Sequence, residues 1–394
     1  MSEPLPPHEL HTLQATLSRA VQEGVSPGVS LWFASRGATH EAQWVTGALC
    51  EGALSYAERS PQVTSDTIYD LASLTKPIAC AWWAWRLWSE GRLDLNQSLE
   101  EALSEVGGVD DPLIAKVPVW RLLNHSAGLP AHRAYFEGLG AERMSGGDPL
   151  EMKRWVRKVI ARTPSEYPPG SQGVYSDLGF LLLEWVCELH AGEDLHTMWA
   201  RERPIPGLHF NALNPLSSPD DRAQLSAALE QYAPTEECAW RARTVRGEVH
   251  DDNAWLCGGV CGHAGLFGRA SDVGAWGLAL VDAYHGRPSP LQLPEATLKH
   301  ITNLKRRPPN RGSFVLGLDT PSSGYSSAGM NMSRRAVGHL GFTGTSLWVD
   351  LQAQRVITLL SNRVHPHRAR GEGIRWLRPT IHDQVWALCE ALQI

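Results

Sequence analysis

No run of about 18 uninterrupted apolar residues occurs in this 394-residue chain, so no segment reads as a membrane-crossing helix and no membrane partner is expected. The start, Met1-Ser-Glu-Pro-Leu-Pro-Pro-His-Glu-Leu10, lacks the basic stretch and apolar run of a secretory leader. Basic clusters are missing as well. The 36 Lys and Arg against 42 Asp and Glu leave a net charge of −6 with no concentrated patch, which argues against a nucleic-acid partner. Cysteine is sparse: seven residues, an odd number scattered from Cys50 to Cys389, suit reduced thiols and a cytoplasmic placement better than a disulfide framework. His-Glu-x-x-His does not occur. Cys257-Gly-Gly-Val-Cys261-Gly-His263 has too long a gap and no second ligand pair for zinc, so it reads as small buried thiols, and no metal is expected. Neither an internal repeat nor a low-complexity tract is present.

What is present is 43% apolar content, enough for a sizeable core. Leu10, Leu13, Leu17 and Val21 recur at helical steps and predict an N-terminal helix ending near Gly24. Val29–Ser35, a short turn and Glu41–Val45 predict a hairpin. From Ser73 to Gly91 the composition is helical, and Pro77 sets the start near Ser73, because a first turn needs few backbone donors. Between about residues 92 and 300, helical patterns (Leu150–Ala161, Leu178–Ala191, Ser271–Tyr284) alternate with Gly/Pro loops. Strands return in Ser346–Asp350 and Val356–Ser361, and a helix over Ile374–Leu392 closes the chain. The pattern predicts an α/β fold: an antiparallel sheet built from both chain ends, flanked by helices, with a mostly helical inserted lobe. Residues 1–66 and 300–394 form the expected α/β lobe and 67–299 the helical one, with the active site between them.

Ser73 and Lys76 stand three apart on the expected helix, so their side chains share a face. A serine hydroxyl becomes nucleophilic when a neighbour removes its proton, and an amine does so only if burial or charge depresses its pKa. The helix N-terminus would favour a developing oxyanion. By itself Ser-x-x-Lys is weak evidence and far more often describes a helix cap with a surface lysine. Tyr175-Ser-Asp177 adds a phenol and a carboxylate on a loop before a helix, although Asp177 can also be a simple cap. His339-Leu-Gly341-Phe342 precedes the last hairpin, where the amides of Phe342 and Ser73 can supply the two donors of an oxyanion hole; a core histidine is the plainer alternative. Asn124-His-Ser126-Ala-Gly128 falls one residue short of a nucleophile elbow, and no buried strand leads into it. His263-Ala-Gly265 shares the His-x-Gly form but leads through Ser271 into a helix, which suits a pocket wall.

Ser-x-x-Lys, Tyr-x-Asp and His-x-Gly in this order resemble the three motifs of β-lactamases and penicillin-binding proteins. Leu122–Pro130, Pro169-Gly170, Gly247–Asp251, Gly262–Phe267 and Ser361–Pro366 extend the likeness over roughly residues 25 to 385, and the chain resembles the serine β-lactamase-related hydrolases, the class C β-lactamase and D-Ala-D-Ala carboxypeptidase group. The resemblance implies a covalent acyl-enzyme on Ser73, with Lys76 and Tyr175 sharing the acid and base work and no cofactor. Two departures stand out. Asp177 occupies the usual place of an asparagine, and His339-Leu340-Gly341 replaces Lys-Thr-Gly, so a fixed charge and a hydroxyl that hold a β-lactam carboxylate are missing. Penicillin is therefore expected to be a poor substrate.

Gly247–Asn253, the Gly-His263-Ala-Gly loop and Asn362-Arg363-Val-His365-Pro resemble the branch with exo-acting N-acetylmuramoyl-L-alanine amidases and with esterases. Arg363 can pair with a substrate carboxylate or be a surface arginine; His250, Asp251 and His263 can line the cleft or form a structural cluster. The expected partner is a small-molecule substrate, an acylated peptide, muropeptide or ester. A carboxylesterase and a catalytically silent binding module of the same fold are the alternatives. The tryptophans after Ser73 (Trp82, Trp83, Trp85, Trp88) suit packing, with a sugar-binding cleft as the second possibility.

Overall fold

The structure, a computed structural model, describes residues 2–36, 43–211, 229–310, 312–370 and 372–394. Its main sheet has six strands: β1 (Ser2–Pro4), β2 (Gly28–Arg36) and β3 (Trp44–Gly52) from the start of the chain, and β9 (Val337–Leu340), β10 (Ser346–Asp350) and β11 (Arg355–Ser361) from its end. They lie in the order β1-β3-β2-β11-β10-β9, all antiparallel except the β1–β3 pair. The parallel β1 was not expected from the sequence. Nor was the reach of β3, which runs to Gly52 and pairs with all of β2, whereas the sequence pointed to Glu41–Val45. Its mixed small and polar residues (Thr46-Gly-Ala-Leu-Cys-Glu-Gly52) carry little alternation, so pairing and not pattern makes it a strand. The hairpin turn itself lies outside the described residues.

Alternation explains both faces of the sheet. Leu347, Val349, Val356 and Leu360 join the larger core, while Trp348, Ile357, Leu359, Leu31 and Phe33 join a second core with Leu13, Leu17, Leu377 and Ile381. The N-terminal helix (His11–Gln22) and the last helix (Ile374–Ala391) therefore cover one face. Helix Ala270–Tyr284 covers the other, packing on β2, β10 and β11. A Cβ on its Gly277 would come within 2.5 Å of Val356, so glycine permits this close approach. The expected boundary at residue 299 leaves that helix in the helical lobe; its contacts put it on the sheet.

Shorter strands tie the lobes together: β4 (Tyr69–Asp70) and β5 (His209–Phe210) both pair with β8 (Leu266–Gly268), and β6 (Glu236–Cys238) pairs with β7 (Arg243–Val245). Strand β8 follows His263-Ala-Gly265, where the sequence suggested a direct run into a helix. The expected helix from Ser73 is three pieces: a 3-10 turn (Ala72–Leu74), a π-helix (Lys76–Ala81) and an α-helix (Trp82–Ser89). Pro77 has no N–H to donate back to Ser73, which favours the wider spacing. Trp82 and Trp85 are fully buried, their Nε1–H groups bonded to Leu291 O and Leu316 O, so both are packing residues. Among the described residues no helix is long and apolar enough to cross a membrane.

Candidate active site

Asp70, at the end of β4, holds the turn that carries Ser73. Its carboxylate accepts from Ala72 N–H at 2.7 Å and from His250 N–H at 2.6 Å, and burial pushes its pKa up to about 6. Ala72 is thereby kept at φ +48°, a left-handed conformation that costs a non-glycine residue roughly 1 kcal/mol or more. The sheet edge is tied to the same turn: Thr343 Oγ1 donates to Asp70 O at 2.7 Å and Thr345 Oγ1 to Leu71 O at 3.0 Å. Gly341 is needed there, since a Cβ would lie 2.5 Å from Leu71 O. These bonds bring Phe342 and Ser73 to one cavity. Among the described residues the Phe342 N–H has no backbone acceptor, which leaves it available as an oxyanion donor.

Lys76 is fully buried and its ammonium donates to Ser73 Oγ at 3.0 Å, Asp177 Oδ1 at 2.7 Å and His263 O at 3.2 Å. Burial alone would push the amine down, but the Asp177 carboxylate and the neighbouring Tyr175 override it and hold Lys76 above its ordinary value. This reverses the expectation of a depressed amine. Asp177, in turn, is held well below the usual carboxylate range: burial opposes this, and Lys76 and the His132 hydrogen bond prevail. His132 Nδ1 lies 3.3 Å from Asp177 Oδ2. The cap of helix Asp177–Ala191 is Ser176, whose side chain accepts from Gly179 N–H, so Asp177 is free to face Lys76.

Tyr175 stands with its ring 4.7 Å from the Lys76 ammonium; burial pushes the pKa of its phenol up, with Lys76 opposing. The near-elbow at Asn124–Gly128 supports this loop. Ser126 is buried and bonded to Asn124 Oδ1, while His125 accepts from Ser176 N–H at 3.0 Å and packs on Tyr175.

The cavity, about 360 Å³, is lined by Ser73, Tyr175, Phe314, Asp319, His339, Leu340, Gly341, Phe342, Arg363 and Arg378. His339 is buried and pushed down to about 3, chiefly by that burial and then by Lys76, so it is neutral. Its Nδ1 lies 2.7 Å from Leu340 O, which can only accept, so Nδ1 carries the hydrogen. The expectation that His250, Asp251 and His263 line the cleft is corrected: none belongs to the cavity wall. They stand behind it. His263 Nε2 meets Asp251 Oδ1 at 2.9 Å while its carbonyl holds Lys76, and the His250 ring stacks on Phe342 at 5.7 Å.

Sequence reasoning missed Asp70, His132, Asp319 and Arg378. One signal was readable for Arg378: it falls on the apolar stripe Ile374, Leu377, Ile381, Val385 of the last helix, where a charge is out of place.

A family model described as Beta-lactamase matches residues 13–379. A protein of Salmonella agona named "Putative D-alanyl-D-alanine carboxypeptidase" is 30% identical over 315 residues, covering 77% of this chain and 71% of that protein. A penicillin-binding protein homolog from Caulobacter crescentus superposes with a TM-score of 0.69 at 17% identity over 98% of both chains. A hydrolase with promiscuous acyltransferase activity gives 0.66 at 20% identity, over 96% of this chain and 99% of that one. These two likenesses are of fold alone.

Proposed function

The chain belongs to the Beta-lactamase family as a serine hydrolase, and from that premise we propose that it is an amidase acting through a Ser73 acyl-enzyme on N-acetylmuramoyl-peptides or related small cell-wall fragments. The observation that carries the reading is the hydrogen-bonded line Ser73–Lys76–Asp177 opening on a cavity that also holds Tyr175 and the Phe342 amide.

Ser73 Oγ attacks the substrate carbonyl as its proton passes to Lys76, while Lys76 passes one of its own to Asp177. A carboxylate can accept that proton, which the amide usual at this position cannot. The tetrahedral oxyanion is held by the amides of Ser73 and Phe342. Tyr175, whose raised pKa keeps it protonated, gives its proton to the departing nitrogen and is refilled from Asp177 through Lys76. Water then releases the acyl group by the same path. The neutral His339 supports poor binding of a β-lactam carboxylate at that position.

A carboxylesterase is the second reading, favoured by the apolar wall of Phe314, Leu340 and Phe342. Incubation with muropeptides and a fluorophosphonate, followed by intact-mass spectrometry, separates the possibilities. Peptide release and a Ser73 adduct, both absent in Ser73→Ala, are expected. Ester turnover without peptide release favours the esterase, and no adduct at all favours a catalytically silent module.

A further inference from the structure

A second cavity of about 350 Å³, nearly the size of the one over Ser73, lies at the opposite end of the main sheet. Strands β9 and β10 link the two places: Leu340 borders the Ser73 cavity, whereas Arg335, just before β9, and Gln352, in the turn after β10, border the other. The rest of its wall comes from Tyr284, at the end of helix Ala270–Tyr284, and from the segment 299–305. Its volume is that of a small-molecule site.

The wall holds three cations, Lys299, Lys305 and Arg335, and no carboxylate, although the whole chain carries a net charge of −6. Lys299 pairs with Glu295 one turn back on its helix. The exposed side chains of Lys305 and Arg335 have no ion-pair or hydrogen-bond partner among the described residues. Asp350, the acid beneath their loops, is buried and spent on backbone: it accepts from Ser333 N–H at 3.1 Å, Gln352 N–H at 3.0 Å and Ala353 N–H at 2.9 Å. Those bonds fix the loops of Arg335 and Gln352, and His285 Nε2 donates to Leu351 O at 2.7 Å, tying the turn to the neighbouring helix end. The wall is thus preorganised by the chain itself.

Neutral donors complete it. Asn303 Oδ1 accepts from Lys305 N–H at 3.0 Å, while its amide hydrogens, the Gln352 amide and the Tyr284 hydroxyl have no partner among the described residues. Leu304 adds an apolar surface. Two unpaired cations with neutral donors around them suit a dianion rich in acceptors. A phosphate monoester brings about −1.5 to −2 charges near pH 7 and three acceptor oxygens, and a guanidinium fork can take two of these. A single carboxylate would leave one cation over.

We propose that this cavity, remote from the nucleophile, is a second binding site that takes a small phosphate monoester, its dianion held by Lys305 and Arg335 and its organic part lying against Tyr284 and Leu304. The claim goes beyond the hydrolase reading and does not depend on it.

Phenyl phosphate, benzoate and phenol share a ring and differ in charge, so calorimetric titration with each tests the site. The wild-type protein is expected to bind phenyl phosphate at least about tenfold more tightly than the other two, with affinity falling as salt rises. In Lys305→Gln/Arg335→Gln, which alters only exposed side chains, that preference collapses toward unity. Arg363→Gln, a change in the Ser73 cavity, keeps it. Equal binding of the three probes by the wild type overturns the proposal, whatever the variants do. So does phenyl phosphate binding that survives the double substitution; its loss in Arg363→Gln would then place the anion over Ser73 instead. Failure of Ser73 labelling would sink the hydrolase reading and leave these comparisons intact.

Discussion

Asp177 sets the charge of Lys76, the lysine proposed to relay the serine proton, and its effect can be read from one substitution. Asp177→Asn keeps size and one acceptor but removes the negative charge, while the burial that pushes Lys76 down remains. Lys76 then titrates lower but has no carboxylate to take its proton, so kcat/KM at neutral pH should fall on the order of 100-fold or more and recover only as alkaline pH deprotonates Lys76. Undiminished kcat/KM at neutral pH rejects Asp177 as the proton acceptor. Ser73, Lys76, Tyr175, Asp177 and His339 were legible because each sits in a short motif whose residue types state their chemistry. The protonation of Lys76 was not legible, because it depends on a carboxylate about a hundred residues away. Arg378 lies in no motif; its meaning comes only from the cavity it faces.

At the level of elements, the active site is a join between the sheet edge and the 3-10 turn, and Gly341 is where they touch. Gly341→Ala places a methyl 2.5 Å from Leu71 O, so the edge must retreat and carry Phe342 away from Ser73. A displacement of this kind costs on the order of 100-fold in kcat, with a smaller effect on thermal stability; undiminished turnover would show that the two elements can part without harm. The Tyr175–Asp177 end is held differently. Glu184, fully buried in helix Asp177–Ala191, pairs with Lys153 at 2.5 Å and Arg157 at 3.4 Å from helix Pro149–Ala161, and accepts from Gly262 N–H at 3.0 Å. Glu184→Ala leaves two buried cations sharing Glu188 and should lower the unfolding free energy by roughly 3–5 kcal/mol in urea titration. A loss below about 1 kcal/mol would mean that water or Glu188 compensates. The two helices themselves were read correctly from their periodicity. The ion network between them was not, because helical spacing shows which residues share a face and not which faces meet.

For the whole molecule, buried histidines make stability depend on pH. Burial holds His339 and His382 down to about 3 and His250 down to about 4, and pushes His125 well below its ordinary value. The unfolded chain binds these protons first, so their contribution is complete above about pH 6.5 and is lost as pH falls, costing roughly 2 kcal/mol each at pH 5 for His339, His382 and His250, with His125 acting in the same direction. Asp70 and Asp319, raised to about 6 by burial, act in the opposite sense between about pH 6 and 4 and regain roughly 1 kcal/mol each. The histidines prevail, so denaturant midpoints should fall between pH 7 and pH 5; a flat profile contradicts their neutrality. By itself the sequence determined the serine-hydrolase family, the order of the motifs and the building of one sheet from both chain ends, because residue type and local spacing carry that information. Only the tertiary structure decided that Lys76 is a cation, that His339 is neutral, that His250, Asp251 and His263 stand behind the wall, and that Arg378 belongs to it. Charge state and cavity lining follow from burial and from neighbours distant in the chain, and these exist only once it has folded.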